Sequence, residues 1–405
     1  MPAAAARPPA SGATFTVLLL LLLGAQPIAT DLYLPALPAI TRELGSASTS
    51  LTLFMLAFGI GQLLCGPLAD RHGRRPVLLA GLVLYTLGAL GSALAPTVVV
   101  LASWRALQGL AMAAILVCAR AMVRDLHAAH EGPRIMAKGL SGLGVVALLA
   151  PLVGAAAVQF LSWRWALACM ALYSGGVLWL CWFRFAETRH PEHAQAAGGV
   201  KEVLASRSFW AWTSLTASTY GGMFCFLLLS PTIYVDYLGL SPLAYGWIPA
   251  SGSLVYILST TWCRRLLKQH SALRAVRWGA QLSLLGALVQ LTAVLWTPHS
   301  LWLLLLGHWI YAVGHGIHQP CGQAGAVGDF PHLAGRAVAW SGFLTMVVAF
   351  ITGQIAARYL DAGNSNGAWP LIVPMVLAGL LLVLITHLWL PRTAARPVEI
   401  GSPLD

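Results

Sequence analysis

Asp31 and Arg105 are ionisable side chains that lie inside long apolar stretches of the sequence. An ionised side chain in hydrocarbon costs at least about 2.5 to 3.5 kcal/mol, so each is a candidate functional residue. At 1.5 Å rise per residue, both lie roughly 8 to 10 Å from the same end of their predicted helices, so they could face and neutralise one another. Loss of that pairing would let Asp31 take up a proton. A fixed buried pair, or an Asp31 that reaches the aqueous interface, is the alternative.

Three histidines form a second group of ionisable side chains, in the segment GHWIYAVGHGIHQP. His308, His315 and His318 are spaced by seven and three residues, which places them within about 80° of one helix face and favours a lined cavity. Imidazole can titrate near neutral pH, bind a soft metal or donate to an oxygen-rich ligand. Trp309 and Tyr311 could stack on a planar or amphipathic substrate. Alternatively, the intervening glycines allow close helix packing and the imidazoles merely bond to backbone.

Two further polar residues complete the predicted substrate site. Gln108 follows Arg105 by three residues, and Tyr33 follows Asp31 by two. A buried amide can line a polar path or tie two helices together for about 0.6 kcal/mol, so Gln108 alone is weak evidence. We assign both residues to substrate binding together with the histidines, Trp309 and Tyr311, and we assign no metal site.

The elements that must position these residues are membrane helices. Of 405 residues, 58% are hydrophobic and only 9% are charged, whereas soluble domains carry about 25% charged residues. A spanning helix needs about 20 apolar residues, so the chain has room for roughly a dozen. We predict an all-α integral membrane protein with twelve spans near 14–36, 50–69, 77–96, 98–120, 137–160, 165–184, 209–231, 245–263, 277–297, 300–322, 337–357 and 369–390.

The basic residues predict the orientation of these spans. With both termini in the cytoplasm, all but four of the 24 Lys and Arg residues fall at cytoplasmic ends. Arg42, Arg164 and Arg358 face outward, and Arg105 lies within the fourth span. This asymmetry explains the net charge of +11 without a nucleic acid partner. The lipid bilayer and a small-molecule substrate are the partners we expect for a monomeric chain.

A polar segment at 187–208 divides the spans into six and six. We therefore predict an N-terminal bundle over 1–186, a cytoplasmic linker over 187–208 and a C-terminal bundle over 209–405, with a substrate cavity between the bundles. The chain carries no G-x-x-x-x-G-K-[ST] motif, so ATP is an improbable energy source. An ion gradient, with no bound cofactor, is the predicted driving force.

The loop after the second span reads GPLADRHGRRPVLL and resembles the G-x-L-x-D-R-x-G-R-R/K signature of the major facilitator superfamily. Glycines there permit a tight turn, and an acid can cap a helix or pair with basic groups to latch an inner gate. A basic loop that only sets topology is the alternative. The residues that we assign to this gate are Gly66, Asp70, Arg71, Gly73, Arg74 and Arg75.

Other segments resemble a narrower family. RALQG at 105–109 is similar to an element of proton-driven members of the superfamily, and ATDLYLPALP, ARAMVRDL, SWRW and SPTIYVDYLGLSPLAYG are similar to the bicyclomycin and chloramphenicol resistance (Bcr/CflA) family. The resemblance implies the major facilitator fold and a drug/proton antiporter of the bacterial inner membrane. It places Asp31 and Arg105 at the coupling positions and Asp70 at the inner gate.

The chain departs from that family at several positions. Leu23 stands where some chloramphenicol exporters have a second acid, and the three histidines are not expected from the family. An exported siderophore or other metallophore is therefore an alternative cargo, and proton-coupled uptake of a metabolite is an alternative direction. A membrane-embedded sensor or enzyme that uses His315 and His318 with a metal is a rival from another class. We expect a carrier and no enzyme activity, with proton-driven export of a small amphipathic molecule as the leading hypothesis.

Overall fold

The computed structural model describes residues 12–127, 131–188, 199–361 and 367–393, and every regular element within these ranges is helical. Twelve long helices account for most of the chain, and shorter helical segments are named below by their bounds. The first six are α1 (Gly12–Thr30), α2 (Ser48–His72), α3 (Arg74–Ala93), α4 (Val98–Leu126), α5 (Gly132–Phe160) and α6 (Trp163–Arg184). The last six are α7 (Arg207–Pro231), α8 (Pro242–Gln269), α9 (Ala272–Trp296), α10 (Leu301–Gly328), α11 (Ala334–Asp361) and α12 (Trp369–Leu384).

The long helices have the composition of membrane spans. Ten helical segments in the described ranges are long and apolar enough to cross a bilayer. The two long helices outside that group, α8 and α10, have 28 residues each. Histidines interrupt the apolar run of α10, and α8 ends in a basic segment that contains Arg264 and Arg265. The predicted all-α membrane architecture with twelve long helices is confirmed.

The helices pair in the same pattern within each set of six. In the first set, α2 and α3 pack on α4, α3 packs on α6, and α1 packs on α5. In the second set, α8 and α9 pack on α10, α9 packs on α12, and α7 packs on α11. The main contacts between the sets are α2 with α11 and α5 with α8. The sites described below therefore lie on α1, α4, α7 and α10 and on the helices that surround them.

The two sets approach each other closely at a few small residues. On α8, a Cβ added at Gly246 would lie 2.7 Å from the Cβ of Ala155 on α5, so only glycine allows this approach. Between α2 and α11, the Oγ1 of Thr52 donates a hydrogen bond to the Oε1 of Gln354 at 3.1 Å. These contacts hold the two sets of helices side by side.

Several helix ends differ from the predicted spans. The fourth span was expected to end near residue 120, but α4 continues to Leu126, and α5 begins at Gly132 and not near residue 137. The polar residues that end an apolar stretch are still compatible with helical backbone, so hydropathy underestimates helix length. Residues 189–198, nearly half of the predicted linker, lie outside the described residues. So do Arg7, Arg189 and Arg396, three of the basic residues counted at cytoplasmic ends.

Candidate functional site

The first span is interrupted where its acidic residue occurs. Helix α1 ends at Thr30, and the backbone N–H of Asp31 donates to the carbonyl of Pro27 at 2.8 Å. A 3₁₀ turn at Leu34–Ala36 and a short helix at Leu37–Leu44 follow. Pro35 and Pro38 lack the N–H groups that would continue α1 without a break. The single helix expected over 14–36 is therefore interrupted, and Asp31 lies at the break.

Arg105 lies fully buried on α4 and holds this break from the side. One guanidinium N–H donates to the carbonyl of Ala29 at 2.7 Å, and another donates to the Oε1 of Gln108. The guanidinium also lies 4.4 Å from the ring centroid of Tyr33 and 4.5 Å from that of Phe54. The structure thus brings three of the predicted site residues, Arg105, Gln108 and Tyr33, into one cluster.

Asp31 and Arg105 do not form the ion pair that their depths suggested. In the described part of the chain, none of the ion pairs joins these two residues. The carboxylate of Asp31 instead accepts a hydrogen bond from the Oγ1 of its neighbour Thr30 at 2.8 Å. Arg105 contacts residues on both sides of Asp31 without reaching its carboxylate. The expected direct neutralisation is therefore wrong for this conformation, because the break in α1 turns the acid away.

The half-buried Asp31 side chain lies near the second set of helices. Its charge interacts electrostatically with Tyr220 on α7 and Tyr245 on α8. The hydroxyl groups of Tyr245 and Ser230 share a hydrogen bond of 2.8 Å. Across the interface, the Tyr220 hydroxyl donates a weak bond to the sulfur of Met55 on α2 at 3.8 Å. A protonatable group thus lies where the two sets of helices meet.

The predicted gate motif forms a buried ionic network. The Arg74 guanidinium donates to Asp70 at 2.5 Å and to Asp125 at 2.9 Å, and the Arg74 and Asp125 side chains are only 5% and 7% exposed. Asp125 belongs to the last turn of α4. The network therefore ties the junction of α2 and α3 to the end of α4.

The rest of the motif binds the end of α6. Glu187 accepts hydrogen bonds from the backbone N–H groups of Arg74 and Arg75, at 2.8 and 3.1 Å. The Arg75 side chain donates to the carbonyls of Phe185 and Trp182. Gly73 has a φ of 98°, a left-handed conformation that favours glycine. This contact requires the tight turn that the motif predicted.

One motif residue does not take the expected position. Gly66 lies within α2, and an added Cβ would meet nothing within 4 Å, so the expectation that Gly66 permits the turn is wrong. The turn comes seven residues later, where α2 ends. The Arg71 side chain is exposed at that end of α2.

The three histidines of α10 have three different environments. His308 is 2% exposed and stacks on Phe226 of α7, with 3.4 Å between ring centroids. His318 is fully buried and both of its ring nitrogens are bonded, one to Thr219 and one to the carbonyl of Val276. His315 lies beside Tyr220 and Tyr256. His315 and His318 thus share Thr219 as a partner, whereas His308 stacks on a different residue.

The two aromatic residues of α10 that were assigned to substrate binding are also held by the protein. The indole N–H of the half-buried Trp309 donates to the Oγ of Ser251 on α8 at 2.9 Å. Tyr311 is fully buried, and its hydroxyl donates to the carbonyl of Thr219 at 3.4 Å. Tyr311 packs between α7 and α9, against Gly222 and Gly286. Its position is that of a packing residue.

No set of three or more His, Cys, Asp or Glu side chains in the described ranges is arranged to hold a metal ion.

The sequence analysis did not identify several other residues of these clusters. Thr219 and Tyr220 are polar residues in an apolar span, which is the signal that could have identified them. Asp125 and Glu187 are rare acids beside basic loops, and the same charge argument applied to Asp70 would have found them.

Comparison with known proteins identifies the family. A model of the Major Facilitator Superfamily matches residues 19–353. The chain belongs to this superfamily. It is a multi-pass membrane transporter of small molecules and not an enzyme.

The relatives of this major facilitator include named resistance proteins. It is 29% identical to a chloramphenicol resistance protein of Pseudomonas aeruginosa over 354 residues, which cover 85% of this chain and 83% of that protein. It is 26% identical to multidrug resistance protein D of Escherichia coli over 399 residues, which cover 96% and 98% of the two chains. These names agree with the resemblance to the Bcr/CflA drug efflux family.

Solved structures share the fold. The crystal structure of a D-xylose–proton symporter superposes with a TM-score of 0.75 at 17% identity, covering 95% of this chain and 99% of the symporter. A bacterial homologue of the human lysosomal transporter Spinster, in an inward-facing and occupied conformation, also gives a TM-score of 0.75, at 16% identity. At these identities, the likeness establishes the fold alone.

Proposed function

We propose that this major facilitator is a drug/proton antiporter that exports small amphipathic molecules, chloramphenicol among them. Inward proton movement drives export, and the chain works as a monomer without a bound cofactor, with both termini on the cytoplasmic side of the bacterial inner membrane. The observation that carries the proposal is Asp31, an acid at a helix break between the two sets of helices. The names of the relatives support a drug as cargo.

Asp31 is suited to exchange a proton because no basic side chain in the described ranges holds it in an ion pair. It lies where the chain changes from α-helix to 3₁₀ turn. A carrier couples when protonation stabilises one conformation over the other, by about 1.36 kcal/mol for each pKa unit of difference between them. A small movement of the break would change the surroundings of Asp31 enough to alter its proton affinity.

Arg105 has a positioning role in this scheme. Its bonds to Ala29 and Gln108, and its stacking on Tyr33, fix the last turn of α1 relative to α4. Cargo or a conformational change that displaces Tyr33 would free the guanidinium to approach Asp31. The carboxylate would then lose its proton more readily, because a nearby positive charge favours the ionised form.

The inner gate is assigned to the network around Arg74. Asp70, Asp125 and Glu187 join the ends of α2, α4 and α6 to the start of α3, so these four helix ends move as one body. A transporter that alternates access by rocking two bundles requires such internal rigidity. The network is therefore proposed to transmit movement at the interface to the cytoplasmic side.

Transport in everted membrane vesicles tests the proposal. We expect energised vesicles that contain the wild type to accumulate radiolabelled chloramphenicol and to release it when the pH gradient is collapsed. Asp31→Asn should abolish this accumulation while the protein remains folded. Asp329→Asn is the matched control, because Asp329 is an exposed carboxyl just after α10.

Three results would contradict the proposal. Accumulation that ignores collapse of the pH gradient would exclude proton coupling, and full activity of Asp31→Asn would exclude the assigned residue. Proton-dependent loss of compound from preloaded everted vesicles would mean uptake and not export. Siderophores and simple metabolites, assayed in the same vesicles, test the alternative cargoes.

A further inference from the structure

His315 has an unusually well-defined hydrogen-bonding environment on α10. Its ring centroid lies 6.3 Å from that of Tyr220 and 5.5 Å from that of Tyr256. Its Nδ1 lies 3.1 Å from the Oγ1 of Thr219, whereas its Nε2 forms no hydrogen bond within the described ranges. The residue is 6% exposed. A single ring nitrogen is thus left open between two aromatic walls.

The direction of each hydrogen bond around His315 follows from one backbone carbonyl. The carbonyl of Val276 can only accept, so the Nε2 of His318, at 3.0 Å, must carry a proton and donate to it. In neutral His318 the Nδ1 is then an acceptor, and the Thr219 hydroxyl donates to it at 3.3 Å. The single hydroxyl hydrogen of Thr219 is already donated to His318, so the Thr219 oxygen accepts a hydrogen bond from the Nδ1 of His315. The Nε2 of neutral His315 is consequently an acceptor.

We propose that the Nε2 of His315 is a hydrogen-bond-acceptor subsite that recognises a hydroxyl group of the cargo. This inference deepens the proposed export function and rests on it. The rings of Tyr220 and Tyr256 flank the subsite and provide apolar faces for a planar group next to that hydroxyl. The relay through Thr219 and His318 fixes the tautomer, so recognition requires no rearrangement of protons.

The charges around the subsite select the class of cargo. Asp31 interacts electrostatically with Tyr220 from the first set of helices, and the other titratable side chains around His315 are His308, His318 and Tyr256, of which none is an acid. No ion pair or ring contact within the described ranges brings an Arg or Lys side chain to this cluster. The subsite therefore favours neutral or cationic molecules with a hydroxyl donor over carboxylates.

The same relay argues against an oxygen-rich metallophore at this subsite. Such a ligand needs N–H donors, and the N–H of His315 and the N–H of His318 are both directed at protein acceptors. The histidine cluster predicted from the sequence as a set of donors thus presents an acceptor at His315.

Equilibrium binding to the purified full-length protein in detergent tests the subsite. The probes are chloramphenicol and its diacetate, in which both hydroxyl groups are blocked. His315→Phe keeps a flat ring without an acceptor, and we expect it to bind chloramphenicol roughly 3- to 10-fold more weakly, as the loss of one hydrogen bond predicts. Diacetate affinity should not change. His315→Gln, which retains an acceptor oxygen, should recover part of the loss.

The relay is tested without relying on His315 variants. We expect ¹⁵N NMR of histidine-labelled protein near neutral pH to show a His315 ring protonated at Nδ1 and unprotonated at Nε2. Thr219→Val should abolish that tautomer preference, and Thr219→Ser should keep it. Addition of chloramphenicol should shift the Nε2 resonance of the wild type.

The outcomes separate this inference from the proposed function. A wild type that binds chloramphenicol in preference to the diacetate, yet shows no proton-dependent transport in vesicles, would support the subsite and overturn the function. Equal effects of His315→Phe on both compounds, binding of neither compound by the wild type, or a His315 protonated at Nε2 would overturn the subsite.

Discussion

Replacement of Arg105 by lysine separates two roles for this residue. Lysine preserves the positive charge and most of the side-chain length, but it presents one compact ammonium group instead of a planar fork. If Arg105 acted only by its charge on Asp31, as its depth in α4 suggested, Arg105→Lys would keep the coupling. If its role is to hold the helix break in place, Arg105→Lys should lose proton coupling.

The size of the effect follows from the contacts. The bond from the charged guanidinium to the carbonyl of Ala29 contributes about 1.5 to 3 kcal/mol. Stacking of a desolvated cation on the rings of Tyr33 and Phe54 contributes about 1 to 2 kcal/mol more. One ammonium nitrogen cannot occupy both places and also reach Gln108. Lysine retains a small part of these two contributions. We therefore expect Arg105→Lys to lower the free energy of unfolding by about 2 to 4 kcal/mol.

Two measurements check this prediction: chemical unfolding of the purified protein in detergent and proton-dependent accumulation in everted vesicles. Arg164→Lys is the matched control, since the Arg164 guanidinium also combines a hydrogen bond, to Glu43 at 2.7 Å, with stacking on an aromatic ring, that of Trp163 at 4.2 Å. The Arg164 side chain is 39% exposed, so its replacement should cost at most about 1 kcal/mol. Wild-type unfolding and wild-type transport in Arg105→Lys would refute the positioning role.

Two further predictions concern ionic contacts, one in the network around Arg74 and one between Arg42 and Asp236. In Asp125→Asn, the buried Arg74 side chain keeps only one of its two acidic partners, Asp70. The substitution should therefore lower the free energy of unfolding by about 3 kcal/mol. An unchanged unfolding curve would contradict a buried network. Arg42 and Asp236 are 4.0 Å apart and well exposed, so a double-mutant cycle with alanine should give a coupling energy below about 1 kcal/mol that high salt removes. A larger coupling that resists salt would count against that prediction.

Hydropathy predicted the number and order of the helices because the bilayer requires long apolar segments, whatever their tertiary contacts. It did not predict their ends, since α4 continues through Arg124 and Asp125 to Leu126. Nor did it detect the break after Thr30, because the residues that follow Asp31 remain apolar. Pro35 and Pro38 were the available signal, because proline restricts the backbone before it and cannot donate a helix hydrogen bond.

The sequence predicted where Asp31 and Arg105 lie along their helices, but not the direction in which the Asp31 carboxylate points. Arg105 contacts Ala29 and Tyr33, which flank Asp31 in the chain, so Arg105 and Asp31 lie at a similar level along their helices. Which way a carboxylate points depends on the backbone path beyond the end of the helix, and a periodic pattern carries no information about that path. The same limit applies to α10, where an 80° arc of histidines, roughly a quarter of the helix surface, faces more than one neighbouring helix.

The separation of Asp31 from Arg105 has a consequence for any proton-coupled cycle. A permanent ion pair in a low-dielectric interior would keep the carboxylate ionised in both conformations, and an acid that never takes up a proton cannot carry one. An acid with no cation near it in any conformation would stay protonated, because nothing would stabilise its ionised form. Coupling needs a carboxylate that meets a positive charge in one state only. Asp31 lies in the chain between Ala29 and Tyr33, which the guanidinium contacts, but near the other set of helices, and from this geometry a modest movement of the break produces that difference.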